Sequence, residues 1–227
     1  LTVVEQADRR ADATRLQILK AAAHEFATRP YSQVNLDDIL VSADVTKGAL
    51  YFHFRSKHAL ANAVIEHRAE QGWATVEQLR TNGLSGLETA IDVAYLIAVS
   101  DIGEADARAG LNLLEAVGRF DGLQAKVLDV WVNGFAALIR RAIGEGDVVD
   151  DLNPEHAARL LVSMYLGLRQ TSNLDEPESF IRDLESMWML VLPGFANPQR
   201  LRYFDGFIRR RSVLAIKNAS PLRASNL

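Results

Sequence analysis

Cysteine is absent from this chain of 227 residues, which excludes disulfides, thiolate metal sites and cysteine nucleophiles and fits a reducing compartment. Long apolar runs are missing too. None approaches the ~18 to 20 residues that a bilayer-spanning helix needs, and Leu1 to Arg10 carries charges where a signal peptide would hold an apolar core. A cytoplasmic protein with no membrane partner is therefore expected. Catalytic patterns are also lacking: there is no glycine-rich phosphate loop, nucleophile elbow or HExxH pair. His24, His53, His58 and His67 gather early in the chain, but His24 and His67 have no second ligand at i+4. Glu145, Asp147, Asp150 and Asp151 lack the alternation and closing glutamate of a calcium loop. No catalytic residue, metal site or cofactor is expected. An enzyme would have to use a constellation that pattern does not reveal, and a helical protein-binding adaptor is the other alternative to the reading that follows.

Apolar residues make up 48% of the chain, ample for a packed core in one large domain or a small domain joined to a larger one. The net charge of -4 counts at first against a nucleic-acid partner, and its distribution answers the objection. Residues 1–70 carry nine charges of each sign, residues 71–197 nine basic against nineteen acidic, and residues 198–227 seven basic against one acidic. Val45 to Ile65 holds Lys47, Arg55, Lys57, His53 and His58 and no acid. A local basic patch thus sits on a chain that is acidic elsewhere.

Leu16, Leu19, Ala23 and Phe26 recur at three- and four-residue steps, predicting a first helix from about Asp8 to Thr28, ended by Pro30. Asn35 is placed to cap a second helix over Leu36 to Ala43, with Asp37 and Asp38 favourable in its first turn, and Asp44 makes the turn that follows. Thr46 caps a third helix to about His53, and Ser56 a long fourth to about Leu79. After a break at Asn82-Gly83, apolar helical stretches are predicted at Ser85 to Ser100, Glu104 to Gly118, Gln124 to Ile143, Pro154 to Ser172 and Pro177 to Leu192. Asn153-Pro154 and Glu176-Pro177 read as cap plus first-turn proline. An amphipathic stretch from Pro198 to Arg211 follows, and residues 212–227 read as a flexible tail. The expected fold is all-α: a helix-turn-helix head over residues 8–56, and a fourth helix leading into a helical body over residues 57–211.

Two short helices across a tight turn, buttressed on both sides, form the arrangement that lays its second helix in the major groove of duplex DNA. Leu36, Ile39, Leu40, Val45 and Leu50 supply the small core that would set the inter-helix angle. Thr46, Lys47, Gly48, Ala49 and Tyr51 fall on the first turn and outer face of the third helix, where glycine and alanine let the backbone approach the duplex. Tyr51, His53 and Lys57 reach towards flanking phosphates. Phe52 and Phe54 are read as core beside helices one and four, and Arg15 as either a phosphate contact or a surface arginine.

The run Val45-Thr46-Lys47-Gly48-Ala49-Leu50-Tyr51-Phe52-His53-Phe54, followed by Ser56-Lys57 and Leu60-Ala61, closely resembles the signature of the tetracycline-repressor (TetR) family of bacterial regulators, in the wording of its gamma-butyrolactone receptor branch. The likeness is strong over about Arg15 to Glu66, fainter at Arg108-Ala109-Gly110-Leu111, Trp131 and Asn153 to Leu161, and absent in the tail. Asp44 stands where the family commonly has glycine; aspartate tolerates the left-handed conformation such a turn needs. The resemblance implies a homodimer that binds a palindromic double-stranded DNA operator and releases it when a small, largely apolar effector such as a butyrolactone-like signal enters the C-terminal bundle. Trp131 matches a pocket tryptophan of the butyrolactone-receptor branch, so Trp131, with Phe135 on the same helix, is a candidate ligand contact as well as core. Trp188 and Met189 are read as core, and Arg209 to Arg211 as a solubilising helix end or an electrostatic accessory.

Overall fold

The computed structural model describes residues 3–80 and 83–222, of which 3–7, 73–75 and 77–80 are described at the backbone alone. Asn82 of the expected break and the last five residues lie outside the described residues. Ten α-helices and no strand occur among the described residues; a single isolated antiparallel bridge joins Val148 to Ala196.

Contacts divide the chain into two compact units, residues 1–71 with 104–125 and residues 72–103 with 126–223. This differs from the expected division at residue 56. In the first unit, helix α1 spans Val3–Thr28, starting five residues earlier than its pattern suggested, and buries Ile18, Leu19, Ala22, Ala23 and Phe26. Leu16, expected on that face, lies at its exposed edge. After Pro30 a single 3-10 turn, Tyr31–Gln33, leads to α2, Leu36–Ala43. The Asn35 backbone N–H donates to the Asp38 carboxylate at 3.0 Å, closing the entry to α2. At its other end Asp44 adopts φ 49° and ψ 48°, the one left-handed non-glycine residue among those described, and its N–H donates to Val41.

Helix α3 covers Lys47–His53 and α4 Lys57–Arg80, with Ser56 Oγ accepting from the Ala59 N–H at 3.1 Å. Helix α6, Ala105–Ala116, returns to pack on α1: Asn112 donates to the Phe26 carbonyl at 3.0 Å. A side chain at Gly110 would meet the Arg68 stem at 2.8 Å. These contacts explain why the segment from 104 to 125 groups with the head although it follows α5 in the chain.

The second unit contains α5 (Gly86–Gly103), α7 (Leu123–Gly144), α8 (Pro154–Thr171), α9 (Pro177–Val191) and α10 (Leu201–Asn218). Helices α5 and α7 cross at Gly86, where an added Cβ would lie 2.4 Å from the Leu138 carbonyl oxygen and 2.6 Å from the Ala142 nitrogen. Only glycine fits. Asn153 caps α8, accepting from the His156 N–H at 2.8 Å, whereas Glu176 makes no side-chain cap for α9. Val132 and Ala136 of α7 pack on Ala158 and Val162 of α8, with Trp131 and Phe135 against the cluster.

The expected tail is helical for its first seven residues, since α10 continues through Asn218 and buries Ser212 and Ala215. Arg209 to Arg211, expected at the end of the helix, lie inside it. Rather than ending the helix, Arg211 reaches Asp92 of α5 at 2.5 Å and Arg209 reaches Glu185 of α9 at 3.6 Å, so the cluster docks α10 onto acidic neighbours. Burial pushes the Asp92 carboxyl above its ordinary value, and the Arg211 charge opposes that shift.

Candidate nucleic-acid interface and bundle cavity

The presentation of α3 begins with Asp44 and Thr46. The left-handed Asp44 turns the chain sharply, and Thr46 Oγ1 accepts from the Ala49 N–H at 3.2 Å, starting the helix at Lys47. Leu50, fully buried, and Phe54, nearly so, pin the inner face four residues apart, while the Arg15 guanidinium lies 5.5 Å from the Phe54 ring centroid. Arg15 is thus seated on the head's own core. Gln17 of α1 donates to the Ala43 carbonyl at 2.6 Å and fixes the end of α2.

With Leu50 inward, Thr46, Lys47, Gly48 and Tyr51 are exposed, Ala49 and His53 half-buried, and no acid lies in the α3 first turn. The helix therefore offers a cation, a phenol and an open glycine on one surface. Phe52 corrects an expectation. It was placed in the core, but two residues beyond Leu50 on a helix is the opposite side, and Phe52 is 78% exposed, its ring edge-on to His53 at 5.0 Å. Lys57 is held apart from this surface: its Nζ sits 4.2 Å from the Tyr31 ring centroid, and burial draws its pKa below the ordinary lysine value.

A second cluster was not anticipated. His58 and Asn62 of α4 both bind Asp121 in the α6–α7 loop, at 2.5 and 2.7 Å, and hold that carboxyl below its usual range, Asn62 contributing most. The partners are some sixty residues apart, so no local spacing signals them.

In the second unit Trp131 and Phe135 line one apolar cavity with Ala94, Leu161, Tyr165 and Trp188 among its other walls. Its free volume is about 30 Å³, room for a water or two and no more. Beyond the Tyr165 ring lies a buried polar group: Arg169 Nε donates to Asp101 Oδ2 at 2.7 Å, its Nη2 to Oδ1 at 3.3 Å, and the Tyr165 hydroxyl to Oδ2 at 3.3 Å.

Residues 18–64 match the family model of bacterial regulatory proteins, tetR family. Among curated proteins the chain is similar to the A-factor receptor protein of Streptomyces griseus, 32% identical over 190 residues that cover 83% of this chain and 66% of that protein, just under two thirds of its length. Among solved structures it is similar to full-length native TylP, a TetR regulator from Streptomyces fradiae, with 30% identity, a TM-score of 0.67 and coverage of 96% of this chain and 97% of that one. It is also similar to CprB from Streptomyces coelicolor in complex with its biological operator sequence, with 29% identity, a TM-score of 0.75 and coverage of 90% and 99%.

Proposed function

Because this chain belongs to the tetR family of bacterial regulatory proteins, we propose that it represses transcription as a homodimer on a palindromic operator and leaves the DNA when a small, largely apolar effector enters the cavity beside Trp131 and Phe135. The likeness to the A-factor receptor and to an operator-bound relative supports both halves of this reading. For DNA, Lys47 supplies a charge to a phosphate or a guanine edge, Tyr51 a hydroxyl to the backbone, and exposed Phe52 an apolar surface for a thymine methyl. Thr46, Gly48, Ala49 and His53 complete the contact face, and Lys57 joins it only by leaving the Tyr31 ring. For the dimer, the outer side of α8 carries half-exposed Leu160 and open Gly167, and α9 carries exposed Leu190, faces able to meet a second copy in a four-helix contact.

The observation that carries the effector half is the cavity itself. It is apolar, enclosed by helices, lined in part by Trp131 and Trp188, and at about 30 Å³ too small for any lactone. A ligand with a carbonyl acceptor and an alkyl chain must part α5, α7, α8 and α9 to enter, so occupancy and helix position are coupled. Only about 1 to 3 kcal/mol of that coupling is needed for release. Trp131→Ala should bind operator as the wild type does and no longer respond to a γ-butyrolactone bearing an alkyl chain; an unchanged response at the same concentration makes Trp131 ordinary core.

A further inference from the structure

We infer that Tyr165 is a positioning residue through which filling of the cavity is transmitted to the C-terminal end of α5. This rests on reading the cavity as the effector site. The Tyr165 ring is cavity wall while its hydroxyl holds Asp101, so one rigid side chain touches both the space that a ligand would fill and the ion pair behind it. Asp101 is 0% exposed and the Arg169 side chain 4%, so the pair has little water to fall back on when a bond is lost. The hydroxyl's bond, at 3.3 Å, is a long one for O–H to carboxylate, and a small displacement of the ring takes it beyond hydrogen-bonding distance.

The end of α5 is a held point for a second reason. The chain beyond α10 folds back on it: the Leu222 N–H donates to the Ile102 carbonyl at 3.2 Å, and the Ser220 carbonyl oxygen lies 2.8 Å from where a Cβ of Gly103 would stand. Glycine is therefore required at 103, and the terminal segment acts as a strap across the last turn. Two clamps, the Tyr165-Asp101-Arg169 group and the strap, thus converge on Asp101 to Gly103. The next residue, Glu104, opens the segment that belongs to the compact unit carrying α3. A ligand that displaces Tyr165 loosens one clamp at the point where the chain passes from the ligand-side unit to the DNA-side unit.

The exchange arm of the test needs neither operator nor effector. Ala94, on the cavity wall, is replaced by methionine to fill the space from within, alone and combined with Tyr165→Phe, and amide hydrogen exchange is followed by mass spectrometry in the full chain. Val162→Leu is the milder filling variant should Ala94→Met not fold. Tyr165→Phe alone should speed exchange of the last-turn amides of α5 and of the Leu222 amide about tenfold, the loss of one weak bond to a charged group. Filling the cavity should speed the same amides in the native background and add nothing in the Tyr165→Phe background. Equal acceleration by filling in both backgrounds, or none in either, overturns the inference. Quenching of indole fluorescence by an alkyl-substituted γ-butyrolactone is measured separately on the unaltered chain. Quenching with additive exchange rejects Tyr165 and keeps the effector reading; non-additive exchange without quenching keeps Tyr165 and rejects the lactone.

Discussion

Removing one partner of the Asp101–Arg169 pair should be among the most damaging single changes in the second unit. Both groups are out of water, and Asp101 accepts two bonds from Arg169 and one from Tyr165. Asp101→Ala removes the carboxylate that accepts both bonds of the buried Arg169 guanidinium described above, and Arg169→Met removes the charged donor from the buried carboxylate; each should cost about 3 to 5 kcal/mol. That is a large share of the ~5 to 15 kcal/mol that a domain has in total. Replacing both partners removes the remaining buried charge as well as the attraction, so the double variant should be more stable than either single one, with a coupling of about 2 kcal/mol or more. Urea unfolding followed by tryptophan fluorescence measures this, at one fixed protomer concentration because a dimer's apparent stability depends on it. Single variants that each lose less than about 1 kcal/mol, the value of an exposed pair, would refute the claim that the cluster is a buried, tightly bonded unit.

Gly86→Ala should destabilise by about 3 kcal/mol, since its methyl would collide with backbone atoms of α7 that no rotamer change can move; thermal unfolding measures it, and a neutral result would mean the helices cross elsewhere. The Asp38 carboxyl is held below its ordinary value, first by the Asn35 N–H and then by Arg29. Its contribution to stability is therefore fully present above the ordinary carboxylate value and is lost as pH falls from there through the lowered folded value, so Asp38→Asn should lower stability at neutral pH and flatten the acid limb of a stability–pH curve; urea unfolding across pH measures it, and an acid limb as steep as that of the unaltered chain would contradict it.

How much of this was legible from residues alone depended on whether the determinants were local. Helix α2 begins and ends where Asn35 and Asp44 place it, because a cap and a left-handed turn act within four residues. Helix α3 starts where Thr46 caps it for the same reason. Aromatic character suggests a core place for Phe52, but helical phase decides: Leu50 and Phe54 already occupy the inner side, so the residue midway faces out. The position of Lys57 depends on Tyr31, which the 3-10 turn after Pro30 carries beneath it, and a proline that ends α1 gives no sign of that turn. The arginine cluster looked like a helix end because its acidic partners, Asp92 and Glu185, lie far away in sequence. Asp101 and Arg169 are 68 residues apart, a separation at which charge pattern carries no information about pairing.

Operator binding by α3 is the central claim, and it is tested most directly by measuring affinity for a palindromic operator and for random duplex across a salt series, with Lys47→Ala and Tyr51→Ala beside the unaltered chain. Each substitution should weaken operator binding by about 1 to 3 kcal/mol with helicity unchanged, and Lys47→Ala should also make the salt dependence shallower. Operator affinity equal to that of the unaltered chain in both variants, with helicity intact, would contradict the account.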